Sequence, residues 1–146
     1  MGSIIVYSEE KGVIEYDDSV PCVIARYLAF MNSEEFRAFA TKTLEYSIKY
    51  KKPDEDLLFI ADTTKSLVQP KADTDWAAAN LNPIALKAGL RFSALLLPMD
   101  LFGERMVKNY VKATRASDQD ELSVDIFKSE EDAINWFNTI KNSELA

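Results

Sequence analysis

Two short stretches constrain this chain more than any others: Leu57-Leu58-Phe59-Ile60-Ala61, and the run from Phe92 to Leu97. Both are apolar, neither alternates with polar residues, and each ends at a breaker, Asp62 in one case and Pro98 in the other. A strand sends successive side chains to opposite faces of its sheet, so an unalternating run is covered on both faces. Between them lies a helical pattern that starts at Asp73-Thr74-Asp75 and carries Trp76, Ala77 and Leu81. Pro83 interrupts or restarts it, and Gly89 supplies a helix-ending position. A strand, a helical crossover and a second strand make parallel neighbours. The two runs are expected as central, parallel strands.

The remaining elements follow from local signals. Ile4 to Tyr7 and Val13 to Tyr16 read as a hairpin, with Gly12 placed for the positive φ of a hairpin bulge. Asp17-Asp18-Ser19 turns the chain into a longer strand from Val20 to Phe30, with Pro21 near its start. A helix is expected from about Ser33 to Lys51. Asn32 or Ser33 caps it, Glu34 and Glu35 sit at its start, and Lys49, Lys51 and Lys52 lie at its end before Pro53. Phe36, Ala40, Leu44 and Ile48 form its apolar face. Phe39, Tyr46 and Tyr50 widen that stripe to roughly 200°, more than a sheet usually covers. Later come a helix over 103–114, a short strand from Ser123 to Phe127, and a helix capped by Ser129-Glu130-Glu131-Asp132 that turns Ala133, Trp136, Phe137 and Ile140 inward. The order is βββαβαβαβα: an α/β fold, a mixed sheet with an opening β-hairpin and about four helices. No repeat or linker divides residues 1–146, which read as a single domain.

Composition excludes several classes of function. Histidine is absent and Cys22 is the single cysteine, which removes Ser-His-Asp and Cys-His catalysis and the usual zinc sites. The four glycines form no dinucleotide or Walker pattern. The chain therefore reads as non-enzymatic, with no cofactor and no metal; a metal-dependent enzyme using carboxylates is the remaining alternative, since an acidic chain contains carboxylate pairs. Seventeen Lys and Arg against twenty-four Asp and Glu, a net charge of -7, point away from nucleic acid and from anionic membrane surfaces. No apolar run approaches the roughly 18 residues of a membrane span. Met1-Gly2 is followed by Val6 where myristoylation expects Ser or Thr. A cytoplasmic location is expected.

Several strings carry a resemblance. They are Asn32-Ser33-Glu34-Glu35-Phe36, Leu58-Phe59-Ile60-Ala61-Asp62-Thr63, Asp75-Trp76 with Pro83 and Gly89, Leu97-Pro98 with Phe102-Gly103, and Phe127 to Ala133 with Trp136. In this order they resemble the SpoIIAA-like group of STAS domains, related in fold to the CRAL-TRIO lipid-transfer domains. The resemblance implies a STAS-like fold and a regulatory or protein-interaction module. The lipid-transfer relatives imply the alternative, a carrier or sensor of a small apolar or lipid-like ligand. The Asp-Ser-x-Gly segment phosphorylated in anti-sigma factor antagonists has no counterpart here; the loop before Trp76 offers Thr63, Thr64, Ser66 and Thr74 instead.

Two sets of candidate site residues emerge. Ligands of open α/β sheets gather beyond the carboxyl ends of the strands, which marks Asp62, Thr63, Thr64 and Trp76 as a ligand loop. Asp62 could act there as a metal ligand or phosphoacceptor with Asp17 and Asp18, whereas the plainer reading makes these aspartates turn residues and Asp73 and Asp75 helix caps. The second set is the broad flank of the first helix, where Phe39, Tyr46 and Tyr50 are expected as a protein-partner or homodimer patch. Trp136 is expected in the core.

Overall fold

The structure, a computed structural model, describes residues 3–65, 71–96 and 123–145. Among these residues six strands form one sheet in the order β1 (Ile4–Glu9), β2 (Gly12–Asp17), β3 (Cys22–Tyr27), β4 (Leu58–Asp62), β5 (Phe92–Leu96), β6 (Ser123–Phe127). The first three pair antiparallel, and β3 to β6 run parallel. The two unalternating runs, β4 and β5, are interior and parallel as expected, and every residue of β5 is buried. The hairpin and the order of strands are those read from the sequence. The expected helix over 103–114 lies outside the described residues.

Among the described residues the helices are α1 (Ser33–Tyr50), α2 (Lys71–Asn80), α3 (Asn82–Lys87) and, after β6, α4 (Glu130–Leu145). Core residues of the sheet divide into two layers. Ile14, Tyr16, Val23, Ala25 and Tyr27 pack with Phe39 of α1 and with Ala85 and Ala88 at α3. Cys22, Ile24, Leu58, Ile60, Phe92 and Ala94 pack with Ala133 and Phe137 of α4. Parallel strands laid down one beside the next, with right-handed connections, place successive crossover helices on one face. The helix after the last strand is free to close the other. Trp136 packs edge-on against Phe92, in the α4 layer as expected.

Helix ends follow the local code. Asn32 accepts the Glu35 backbone N–H, and the Glu35 carboxylate accepts the Asn32 N–H, completing a capping box. That bond, with an ion pair from Lys11, holds the Glu35 carboxyl below its ordinary pKa. Pro83 restarts the chain as α3 just after α2 ends. At the end of α3, Leu90 N–H reaches the Ala85 carbonyl and Gly89 N–H the Leu86 carbonyl, with Gly89 at φ +84°. Ser129 Oγ accepts the Asp132 N–H at the start of α4.

Four expectations need correction. Gly12 does not take a positive φ; its value is space, because a Cβ there would lie 2.6 Å from the Phe39 ring. Strand β3 is shorter than Val20 to Phe30, since the chain leaves the sheet after Tyr27. Helix α2 begins at Lys71, so Asp73 stands inside its first turn rather than capping it. The fourth concerns α1, which is rotated relative to the expected face. Its fully buried line is Phe39, Thr43 and Ser47, while Ile48 is 40% exposed. The hydroxyls of Thr43 and Ser47 donate to the carbonyls of Phe39 and Thr43 at 2.9 Å, so both are buried with their donors satisfied.

Candidate functional site

The rotation of α1 decides the aromatic set. Phe39 is 1% exposed and meets Tyr27 edge-on at 5.0 Å, so it belongs to the core and not to a surface patch. Tyr46 is half-buried against Tyr7 at 6.0 Å, and Tyr50 stacks on Tyr16 at 4.2 Å. The expected patch of Phe39, Tyr46 and Tyr50 is therefore mostly the seam between α1 and the hairpin. Lys49 rides above it, its ammonium 5.8 Å from the Tyr46 ring and 5.7 Å from the Tyr50 ring.

The ligand-loop set is divided as well. Asp62, Thr63 and Thr64 lie together at the carboxyl end of β4. Asp62 Oδ1 accepts the Thr64 backbone N–H at 3.1 Å and its hydroxyl at 2.6 Å, while the Thr63 hydroxyl donates to the Leu96 carbonyl at 2.6 Å. Trp76 is elsewhere: it sits on α2 beneath Arg37 of α1, whose guanidinium carbon is 5.1 Å from the ring centroid. Asp62 faces the α4 layer and Arg37 belongs to the helix packed on the opposite layer, so the sheet separates them. Asp17 also behaves as a turn residue, accepting the backbone N–H and the hydroxyl of Ser19 at 3.0 and 2.6 Å.

Arg26 is the group that organises the carboxyl ends of the strands, and the sequence reading passed over it. It is paired in register with Asp62 on β4 and lies diagonally across from Glu15 on β2, all three on the α4 face. Its Nε donates to Glu15 Oε2 at 2.5 Å, Nη1 to Asp62 Oδ2 at 2.9 Å, and Nη2 to Glu130 Oε1 of α4 at 2.9 Å. One guanidinium thus clamps the hairpin, the parallel strands and the last helix. Burial opposes its charge, but the bonds it donates to Glu15 and Glu130 more than offset this and raise its pKa. Arg26 in turn holds the Glu15 carboxyl below its ordinary value, against the effect of burial and with help from the Ser3 hydroxyl. A signal was present: Arg26 is the one charge in the apolar stretch from Val20 to Phe30, and a cation at such a place needs carboxylates around it.

A second cluster joins α1 to α2. Asp73 is fully buried, accepts the Ser33 hydroxyl at 2.9 Å and pairs with Arg37 Nε at 3.4 Å. Cys22 is fully buried too, and burial pushes its thiol up to about 12, so it is not a nucleophile at neutral pH. Among the described residues no three Asp, Glu or Cys side chains converge to hold a metal ion, and no helix is long and apolar enough to cross a membrane.

The chemistry of these clusters is inward. Both oxygens of Asp62 are engaged, and its charge is met by Arg26. Among the described residues the exposed large apolar side chains are Ile4 at 59%, Ile5 at 65%, Leu28 at 37%, Phe30 at 39%, Ile48 at 40% and Ile84 at 48%. Ile4 and Ile5, the two most exposed, belong to the opening hairpin, Leu28 and Phe30 to the chain just after β3, Ile48 to α1 and Ile84 to α3. Compared with known proteins, this chain matches no family model, no curated protein and no solved structure.

Proposed function

We propose that this chain is a cytoplasmic, non-enzymatic regulatory or protein-interaction module of STAS type, in which the opening hairpin and its flanks meet the partner. One observation carries the reading: the polar groups at the strand ends are bound to one another, whereas Ile4 and Ile5 of the edge strand and Leu28 and Phe30 just after β3 stand in solvent. Apolar side chains gathered at a surface favour contact with another protein. The STAS resemblance is consistent with an antiparallel hairpin followed by parallel strands and crossover helices.

Native mass spectrometry of the protein purified from its own host tests this. Protein assemblies without a retained small molecule are the expected result. A stoichiometric apolar ligand, released only on denaturation, would replace this reading by that of a lipid-like carrier.

A further inference from the structure

We propose that the chain pairs with a second copy of itself along β1, the two edge strands running antiparallel so that both sheets become one. The proposal rests on the interaction-module reading above and names its partner.

β1 is an edge of the sheet. Edge strands are normally guarded by charge, proline or bulges. From Ser3 to Ser8 this strand carries neither charge nor proline; its guards are the register shift between Ile5 and Tyr7 and the single charge of Glu9 at its far end. Ile4 and Ile5 are the two most exposed large apolar residues described.

The strand is complementary to itself. A two-fold axis normal to the sheet keeps both α1 helices on the same side. In the register that sets Ile4 against Tyr7 of the second copy, Ile5 meets Val6 and Ser3 meets Ser8. Ile4 and Tyr7 lie opposite Tyr16 and Ile14 of β2, so both point to the α1 face and can pack across the seam. No like charges are opposed.

The ends of the strand add charge complementarity. Glu9 pairs with Gly12 and accepts the Tyr7 hydroxyl at 2.7 Å, which places it on the α1 face. Antiparallel pairing carries it past the start of the other β1. That start lies beside Tyr16, on which Tyr50 stacks, with Lys49 over the Tyr50 ring. Two Glu9–Lys49 pairs related by the axis result. A seam of two short strands is small beside the ~1,600 Å² of a standard interface, so the dimer is weak and concentration-dependent.

Sedimentation velocity over a concentration series, with thermal unfolding in parallel, tests the proposal on the full chain and on Ile5→Lys, Lys49→Glu and the double variant Lys49→Glu/Glu9→Lys. All three positions are exposed, so the monomer fold survives. The expected result is a dimer whose dissociation constant rises about tenfold or more in Ile5→Lys, rises by about tenfold in Lys49→Glu, and returns toward the native value in the charge-swapped double variant. A native chain that stays monomeric, a dimer indifferent to Ile5→Lys, or a double variant no better than Lys49→Glu overturns the self-pairing. Each of those results leaves the module reading standing on its own mass-spectrometric test.

Discussion

Gly12 sets how closely α1 approaches the hairpin, because the ring of Phe39 occupies the space where a Cβ at Gly12 would stand, 2.6 Å from Cε1 and Cζ. Phe39 is 1% exposed and has nowhere to retreat without moving the helix. Gly12→Ala therefore overpacks the core and lowers stability by about 1–3 kcal/mol, read from chemical denaturation. Shortening the ring should recover part of the loss, so Gly12→Ala/Phe39→Leu is expected to be less destabilised than the sum of the single variants. Strict additivity would show that the two residues do not share the contact.

Arg26 carries three carboxylates from three elements, and Arg26→Met leaves them facing one another. A loss of about 1–3 kcal/mol at neutral pH is expected. The pH dependence has a definite sign. The folded Glu15 carboxyl lies below its ordinary value of 4.5, so the unfolded chain takes up that proton first as pH falls. The stabilisation is whole above the ordinary glutamate range and disappears as pH drops through the folded value. Denaturation midpoints between about pH 7 and pH 3 should fall steeply in the native chain and less steeply in Arg26→Met.

The Asp73 carboxylate ties α1 to α2 from a fully buried position. Asp73→Ala removes the acceptor of the Ser33 hydroxyl and the counter-charge of Arg37, at a cost of about 2–3 kcal/mol. Proteolysis under native conditions reports the local consequence: cleavage near α2 should accelerate more than the global stability change accounts for. Equal changes in both would mean that α2 does not open independently.

Cys22 should be silent to thiol reagents in the folded protein, since burial both excludes the reagent and pushes the thiol up to about 12. Reaction with a chromogenic disulfide is expected only at the rate of global unfolding, and at once in denaturant. Rapid labelling of the native chain would contradict its burial beneath α4.

Much of this architecture is written in short-range signals. Asn32 with Glu35, Pro83, Gly89 and Ser129 mark helix ends through bonds made within a few residues, so they can be read without knowing the fold. The runs that become β4 and β5 declare burial on both faces by lacking alternation, and the crossover between them implies their parallel pairing. The rotation of α1 was decided only in three dimensions. Residues on neighbouring stripes differ by about 100° of turn, and apolarity favoured Phe36, Ala40, Leu44 and Ile48. The sheet accepted Phe39, Thr43 and Ser47 instead: the Phe39 ring fits where Gly12 has no Cβ, and the Thr43 and Ser47 hydroxyls can be buried because they bond to carbonyls of their own helix. The Arg26 clamp was equally out of reach. Its partners come from β2, β4 and α4, and Glu130 is 104 positions away in the chain. Charge alone showed that Arg26 required carboxylates. Strand register and the docking of α4 determined which of the acidic residues would supply them.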